Sequence, residues 1–161
     1  GGSCSPPCPL AMGGVSCNTR GTSPLGDGPE LKPAPVVLYA YDAGASSSTR
    51  TLNTVLRPLG SGVFHCGIEV YGWEWSYQAK PTCERLHGTG VFFCKPQESE
   101  GHAYRESVPL GKTPKTPGTV LRLIQSLEPE WLADEYDPVR HSCVHFCAEF
   151  SERLGAGEPP P

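Results

Sequence analysis

Two residues far apart in the chain have the types needed for thiol chemistry. Cys143 lies in the run His141-Ser142-Cys143-Val144-His145-Phe146-Cys147-Ala148-Glu149-Phe150. Serine is a favoured helix cap, so Ser142 puts Cys143 at the first helical position. A free thiol has a pKa near ~8.5, and a helix start lowers it because unpaired N–H groups and the helix dipole favour the thiolate. Those same N–H groups can hold an oxyanion that develops on a carbonyl substrate. His65 lies in Val63-Phe64-His65-Cys66-Gly67-Ile68-Glu69-Val70-Tyr71-Gly72. It would take the thiol proton and return it to the leaving group. A thiol at a helix start and a histidine on a distant strand are the minimum equipment of a cysteine hydrolase.

Each residue also has a plainer reading. Cys143, Phe146, Cys147, Phe150 and Leu154 recur at helical spacing on one face, so Cys143 fits a core thiol as well. His65 alone fits a hydrogen-bonded structural histidine. His141, Cys143, His145 and Cys147 alternate, and zinc uses both residue types. On a helix, however, the 141/145 and 143/147 pairs point about 200° apart. The helix reading therefore assigns no metal and no cofactor to this run. Trp73 and Trp75 sit on a strand next to the His65 strand. They could wall a substrate tail, or simply pack the sheet. His87 and His102 fall in expected loops and receive no role.

The elements that must position this pair follow from periodicity. Val36-Val37-Leu38-Tyr39-Ala40-Tyr41 is a short apolar run of the buried-strand kind. Thr51 to Leu56 can form a short helix stopped by Pro58 and Gly60. In the next strand Phe64, Cys66, Ile68 and Val70 share one face, and His65, Gly67 and Glu69 the other. So His65 points away from the most apolar face, and Gly67 leaves room beside it for another chain. A turn at Gly72 leads to Trp73-Glu74-Trp75-Ser76-Tyr77 as hairpin partner. Gly90 to Cys94 and Tyr104 to Leu110 read as further strands. Thr116-Pro117 caps a helix carrying Val120, Leu121, Ile124 and Leu127, which ends at Pro129. The last helix runs from Cys143 until Gly155-Ala156-Gly157 stops it. The order implies an α+β domain with an antiparallel sheet.

The chain has 161 residues, enough for one domain with a real core. Thirteen Lys and Arg against 17 Asp and Glu give a net charge of −4, with no basic block, which argues against nucleic acid as a partner. No stretch approaches the ~20 apolar residues of a membrane span, and no signal-peptide pattern opens the sequence as given. Eight cysteines are many for this length. Cys66, Cys94 and Cys147 nonetheless sit in apolar patterns where a free thiol acts as a small hydrophobe, so a cytoplasmic or nuclear protein is expected rather than a disulfide scaffold. Residues 1–34 are rich in Gly, Pro and Ser and read as a disordered lead. Cys4, Cys8 and Cys17 within it lack partners for a metal site. The folded domain is expected over 35–157, followed by a proline tail at 158–161.

The block Gly62 to Gly72, with Glu74 and Tyr77 after it, resembles the histidine block of the PPPDE peptidases, the family of the deSUMOylating isopeptidases. That block typically reads G-[VI]-F-H-[ST]-G-[IV]-E-V-[YH]-G, and this sequence departs from it at Cys66. Tyr39-Ala40-Tyr41-Asp42 resembles the family's first strand, Gly90-Val91-Phe92 its G-I-F strand, and Val108-Pro109-Leu110-Gly111 the stretch before its long helix. Ser142-Cys143-Val144-His145-Phe146-Cys147 matches the nucleophile block N-C-N-x-F-[ST], with Ser142 and Val144 where asparagines are usual. The resemblance covers about residues 35–157. It implies a papain-like α+β fold, with Cys143 as nucleophile and His65 as base in a dyad. It further implies isopeptide hydrolysis on SUMO or ubiquitin conjugates through an acyl-enzyme, without stable membrane insertion, and it allows a homodimer. The alternatives it carries are an S-acyl thioesterase on the same dyad, or a weakly catalytic module that binds a ubiquitin-like protein.

Overall fold

The computed structural model describes residues 32–43, 64–79 and 88–160. Residues 1–31 of the expected lead, the helix at 51–56, His87 and four of the cysteines (Cys4, Cys8, Cys17 and Cys83) lie outside them, while Ala34, expected to close the lead, is a buried residue of the first strand.

Five strands form one antiparallel sheet: β1 (Ala34–Ala43), β2 (Phe64–Val70), β3 (Trp73–Tyr77), β4 (Val91–Cys94) and β5 (His102–Thr113). Their order across the sheet is β4-β3-β2-β1-β5. The β2–β3 hairpin turns on Tyr71 and Gly72, both at positive φ (56° and 75°), as a two-residue turn with the strands' own twist requires. That turn fixes the register: Val70 faces Trp73, Glu69 faces Glu74, Ile68 faces Trp75 and Gly67 faces Ser76. After β4 the chain crosses to the far edge, where β5 pairs with β1.

Two helices follow. α1 (Pro117–Leu127) starts at Thr116, whose hydroxyl accepts from the Thr119 N–H at 3.2 Å, and Pro117 opens it. Val120, Ile124 and Leu127 are its buried stripe. A 3-10 turn at Glu128–Glu130 carries Pro129 and ends it. α2 (Cys143–Leu154) ends at Gly155, whose φ of 75° takes the left-handed cap that glycine tolerates best. Just beyond, the Gly157 N–H donates to the Leu110 carbonyl oxygen at 2.6 Å, tying the end of the helix to β5.

Alternation divides the sheet into two unlike faces. One carries Val36, Leu38, Cys66, Ile68, Val70, Trp73, Trp75 and Tyr77, and packs with Phe146, Cys147, Phe150 and Leu154 of α2 in one core. Fully burying side chains of that size contributes roughly 1.5–3 kcal/mol each. The other face is polar and aromatic. It holds Tyr39, Tyr41, His65, Glu69, Glu74 and Ser76, joined by the Tyr39–Glu69, Tyr41–Glu74 and His65–Ser76 side-chain hydrogen bonds. The observed class is α+β, as expected. Among the described residues no helix is long and apolar enough to cross a membrane.

Candidate active site

α2 begins where the sequence predicts, and its cap has two parts. The Ser142 hydroxyl and the His145 ring lie 2.9 Å apart at Nδ1, and the Ser142 N–H donates to the same nitrogen at 3.2 Å. His145 thus stands where a capping box usually has Glu or Gln. His141 instead stacks flat on Trp131, ring centres 4.1 Å apart. So the four alternating His and Cys residues do separate jobs: one stacks, one caps, and the two cysteines face the core.

Cys143 is buried at the sheet end of α2, its Sγ 4.0 Å from the Phe64 carbonyl oxygen. Here, at the start of β2, the thiol lies near enough to the His65 ring for each group to shift the other's titration. His65 points to the polar face, as alternation predicts. It is 4 % exposed. Its ring is sandwiched between His102, at 4.0 Å between centres, and Phe92, at 6.0 Å, both nearly parallel to it. Nε2 lies 3.0 Å from the Ser76 hydroxyl.

Two thiols sit beside Cys143. The Cys66 thiol contacts Cys147 Sγ at 3.4 Å and also meets the Cys143 thiol. This Cys66 contact, together with burial, pushes the Cys143 thiol well above its ordinary range, while His65 pulls it down. Burial holds His65 below its ordinary value of 6.5; the Cys143 contact opposes that, and His102 adds to it. The resting pair is therefore a neutral thiol facing a neutral imidazole. The helix-start position favours a thiolate as the sequence suggests, but enclosure against Cys66 outweighs it. A neutral pair fits general-base chemistry, in which the proton moves as the sulfur attacks.

Three further groups complete the surroundings. The Tyr136 phenol, pushed up to about 12 chiefly by burial, meets both the thiol and the backbone N–H of Cys143. Glu74 is fully buried on the polar face. It accepts from the Tyr41 hydroxyl at 2.6 and 2.8 Å and from the Gln97 N–H at 2.9 Å, and burial raises it to about 6. Gly67 lies against it: a Cβ there would sit 2.5 Å from Glu74 Oε1. The room that the sequence predicts beside Gly67 is thus taken by a buried carboxyl. Trp73 and Trp75 lie on the opposite face, 8 % and 2 % exposed, both packed on Phe93. That is sheet packing, and the substrate-wall role gains nothing from it. Cys94 is half-buried, whereas Cys66 and Cys147 are the buried free thiols expected.

Sequence reasoning missed Ser76, His102 and Tyr136. Ser76 was within reach, because a two-residue turn at Tyr71-Gly72 already sets it opposite Gly67, diagonal to His65. His102 and Tyr136 carry no local signal, since only the crossover to β5 and the packing of the chain before α2 bring them in.

A family model described as "PPPDE putative peptidase domain" matches residues 34–161. The chain belongs to the PPPDE peptidase family. A desumoylating isopeptidase 1 homolog of Caenorhabditis elegans is 32% identical over 113 residues, 68% of this chain and 33% of the relative. A DeSI-like protein of Arabidopsis thaliana is 31% identical over 129 residues, 79% of this chain and 52% of the relative. The chain thus spans between a third and about half of the length of these relatives. The α+β architecture with its five-stranded antiparallel sheet is the papain-like fold of PPPDE peptidases.

Proposed function

We propose that this PPPDE chain is a cysteine isopeptidase that removes a ubiquitin-like modifier, SUMO or ubiquitin, from its conjugates. The observation that carries the reading is the contact between the Cys143 thiol and the His65 ring, brought together from distant parts of the chain. The name of the nematode relative, a desumoylating isopeptidase homolog, supports SUMO conjugates as the substrate class.

Sulfur of Cys143 attacks the carbonyl carbon of the modifier's C-terminal residue as its proton passes to His65. The oxyanion forms near the backbone N–H of Cys143 at the α2 N-terminus. His65 then gives the proton to the departing lysine amine, leaving a thioester on Cys143. Water, deprotonated by His65, hydrolyses the thioester and releases the modifier. An S-acyl thioester substrate would follow the same steps with a thiol as leaving group.

The test is covalent labelling by SUMO and ubiquitin probes that carry a C-terminal electrophile. Wild type is expected to label with one of them, and Cys143→Ala and His65→Ala are expected to lose it. A folded wild type that labels with neither removes the isopeptidase reading and leaves the binding-module alternative.

A further inference from the structure

We propose that Ser76 is a positioning residue for His65, selecting the one imidazole tautomer and ring flip that can serve Cys143. The proposal rests on the dyad reading above for its consequence, but its structural content stands by itself.

A serine hydroxyl carries a single hydrogen. The Ser76 hydroxyl lies 2.5 Å from the Cys66 carbonyl oxygen, which can only accept, so the hydrogen is committed there. What remains to His65 is an oxygen lone pair. The 3.0 Å contact between His65 Nε2 and Ser76 Oγ must therefore be an Nε2–H donating to oxygen. In a neutral imidazole one nitrogen carries the hydrogen and the other a lone pair. With Nε2–H fixed on Ser76, Nδ1 is the basic nitrogen, and on this proposal it is the one that serves Cys143.

The neighbouring rings cannot make this choice. His102 and Phe92 stack on the two sides of His65 and hold its plane, yet a half-turn of the ring within that sandwich keeps both stacks. Only a directional partner in the plane distinguishes the two flips. Ser76 is 1 % exposed, so no water competes freely for the position. It is also held on a paired strand, opposite Gly67, rather than on a loop. When the Cys143 proton moves to Nδ1, the imidazolium keeps its Nε2–H bond to Ser76 Oγ, so the ring need not turn between the two proton transfers. An oxygen that accepts from one ring nitrogen fixes tautomer and orientation together.

The test begins with the full chain, 15N-labelled at histidine, and long-range 1H–15N correlation spectra that report the His65 tautomer. Wild type is expected to show the Nε2–H form. Ser76→Ala is expected to show a mixture, and Ser76→Thr, which keeps the hydroxyl, to restore the single form. Labelling of Cys143 by the modifier probe is expected to fall about tenfold in Ser76→Ala, the worth of one buried hydrogen bond, and to recover in Ser76→Thr. A wild-type Nδ1–H form overturns the proposal, as does an unchanged tautomer in Ser76→Ala. If wild type does not label at all, the isopeptidase reading falls, while the tautomer spectra still decide the role of Ser76.

Discussion

Glu74 is fully buried and forms no salt bridge among the described residues, so its charge has a cost that can be measured. Its carboxyl titrates at about 6 in the fold against an ordinary 4.5, chiefly because burial removes it from water. At ~1.36 kcal/mol per pH unit, ionised Glu74 destabilises the fold by roughly 2 kcal/mol. Below pH 4.5 the group is protonated in both states and there is no cost. Between 4.5 and about 6 the native state binds the extra proton, so stability falls as pH rises through that window. Above it the cost is constant. Glu74→Gln removes the ionisation. Its amide oxygen can take the Oε2 position and still accept from Tyr41 and Gln97.

The expected result is a pH-dependent difference between the two proteins. They should be about equally stable near pH 4, and Glu74→Gln more stable by roughly 2 kcal/mol near pH 7.5. With a urea slope of ~1–3 kcal/mol per molar, the midpoint moves up by about 1 M. Taking the difference matters, because His65 and His102 are both held low by burial and lose stability in the opposite sense as pH falls below 6.5. Their slope is common to both proteins and cancels. Urea unfolding monitored by tryptophan fluorescence at several pH values reads the effect. A difference independent of pH would refute the reasoning. A variant less stable at pH 7.5 would show that the bonds accepted by the carboxylate outweigh its burial.

Two other substitutions probe the same region. Cys66→Ala removes the thiol contact that contributes most to raising Cys143, so iodoacetamide should alkylate Cys143 faster at pH 7, about tenfold for each pH unit its midpoint moves down; peptide mass spectrometry reads the site, and an unmoved midpoint counts against the contact. Gly67→Ala drives a methyl onto the Glu74 carboxyl, which cannot yield without losing Tyr41 or Gln97, so unfolding free energy should drop by roughly 2–4 kcal/mol; a near-neutral result by denaturant titration would mean the strands do not approach as closely as the register places them.

Much of the scaffold was legible because its signals are local. The alternation over Phe64 to Val70, the turn at Tyr71-Gly72, the Thr116-Pro117 start and the Gly155 stop each depend on residues a few positions apart. The same alternation put His65 on the face away from the core, and the cap put Cys143 at a helix start. What could not be read was how two residues on different sides of a sheet come to touch. That depends on where α2 meets the end of β2, which is a matter of packing. The sequence by itself thus determined the family, the elements that carry Cys143 and His65, and the two residues proposed as the reacting groups. Tertiary structure decided their state. It buried the thiol against Cys66, set Ser76 and the His102 and Phe92 rings around His65, and placed a buried carboxyl against Gly67. The physical reason is that desolvation and hydrogen-bond direction depend on neighbours in space, which lie far apart along the chain.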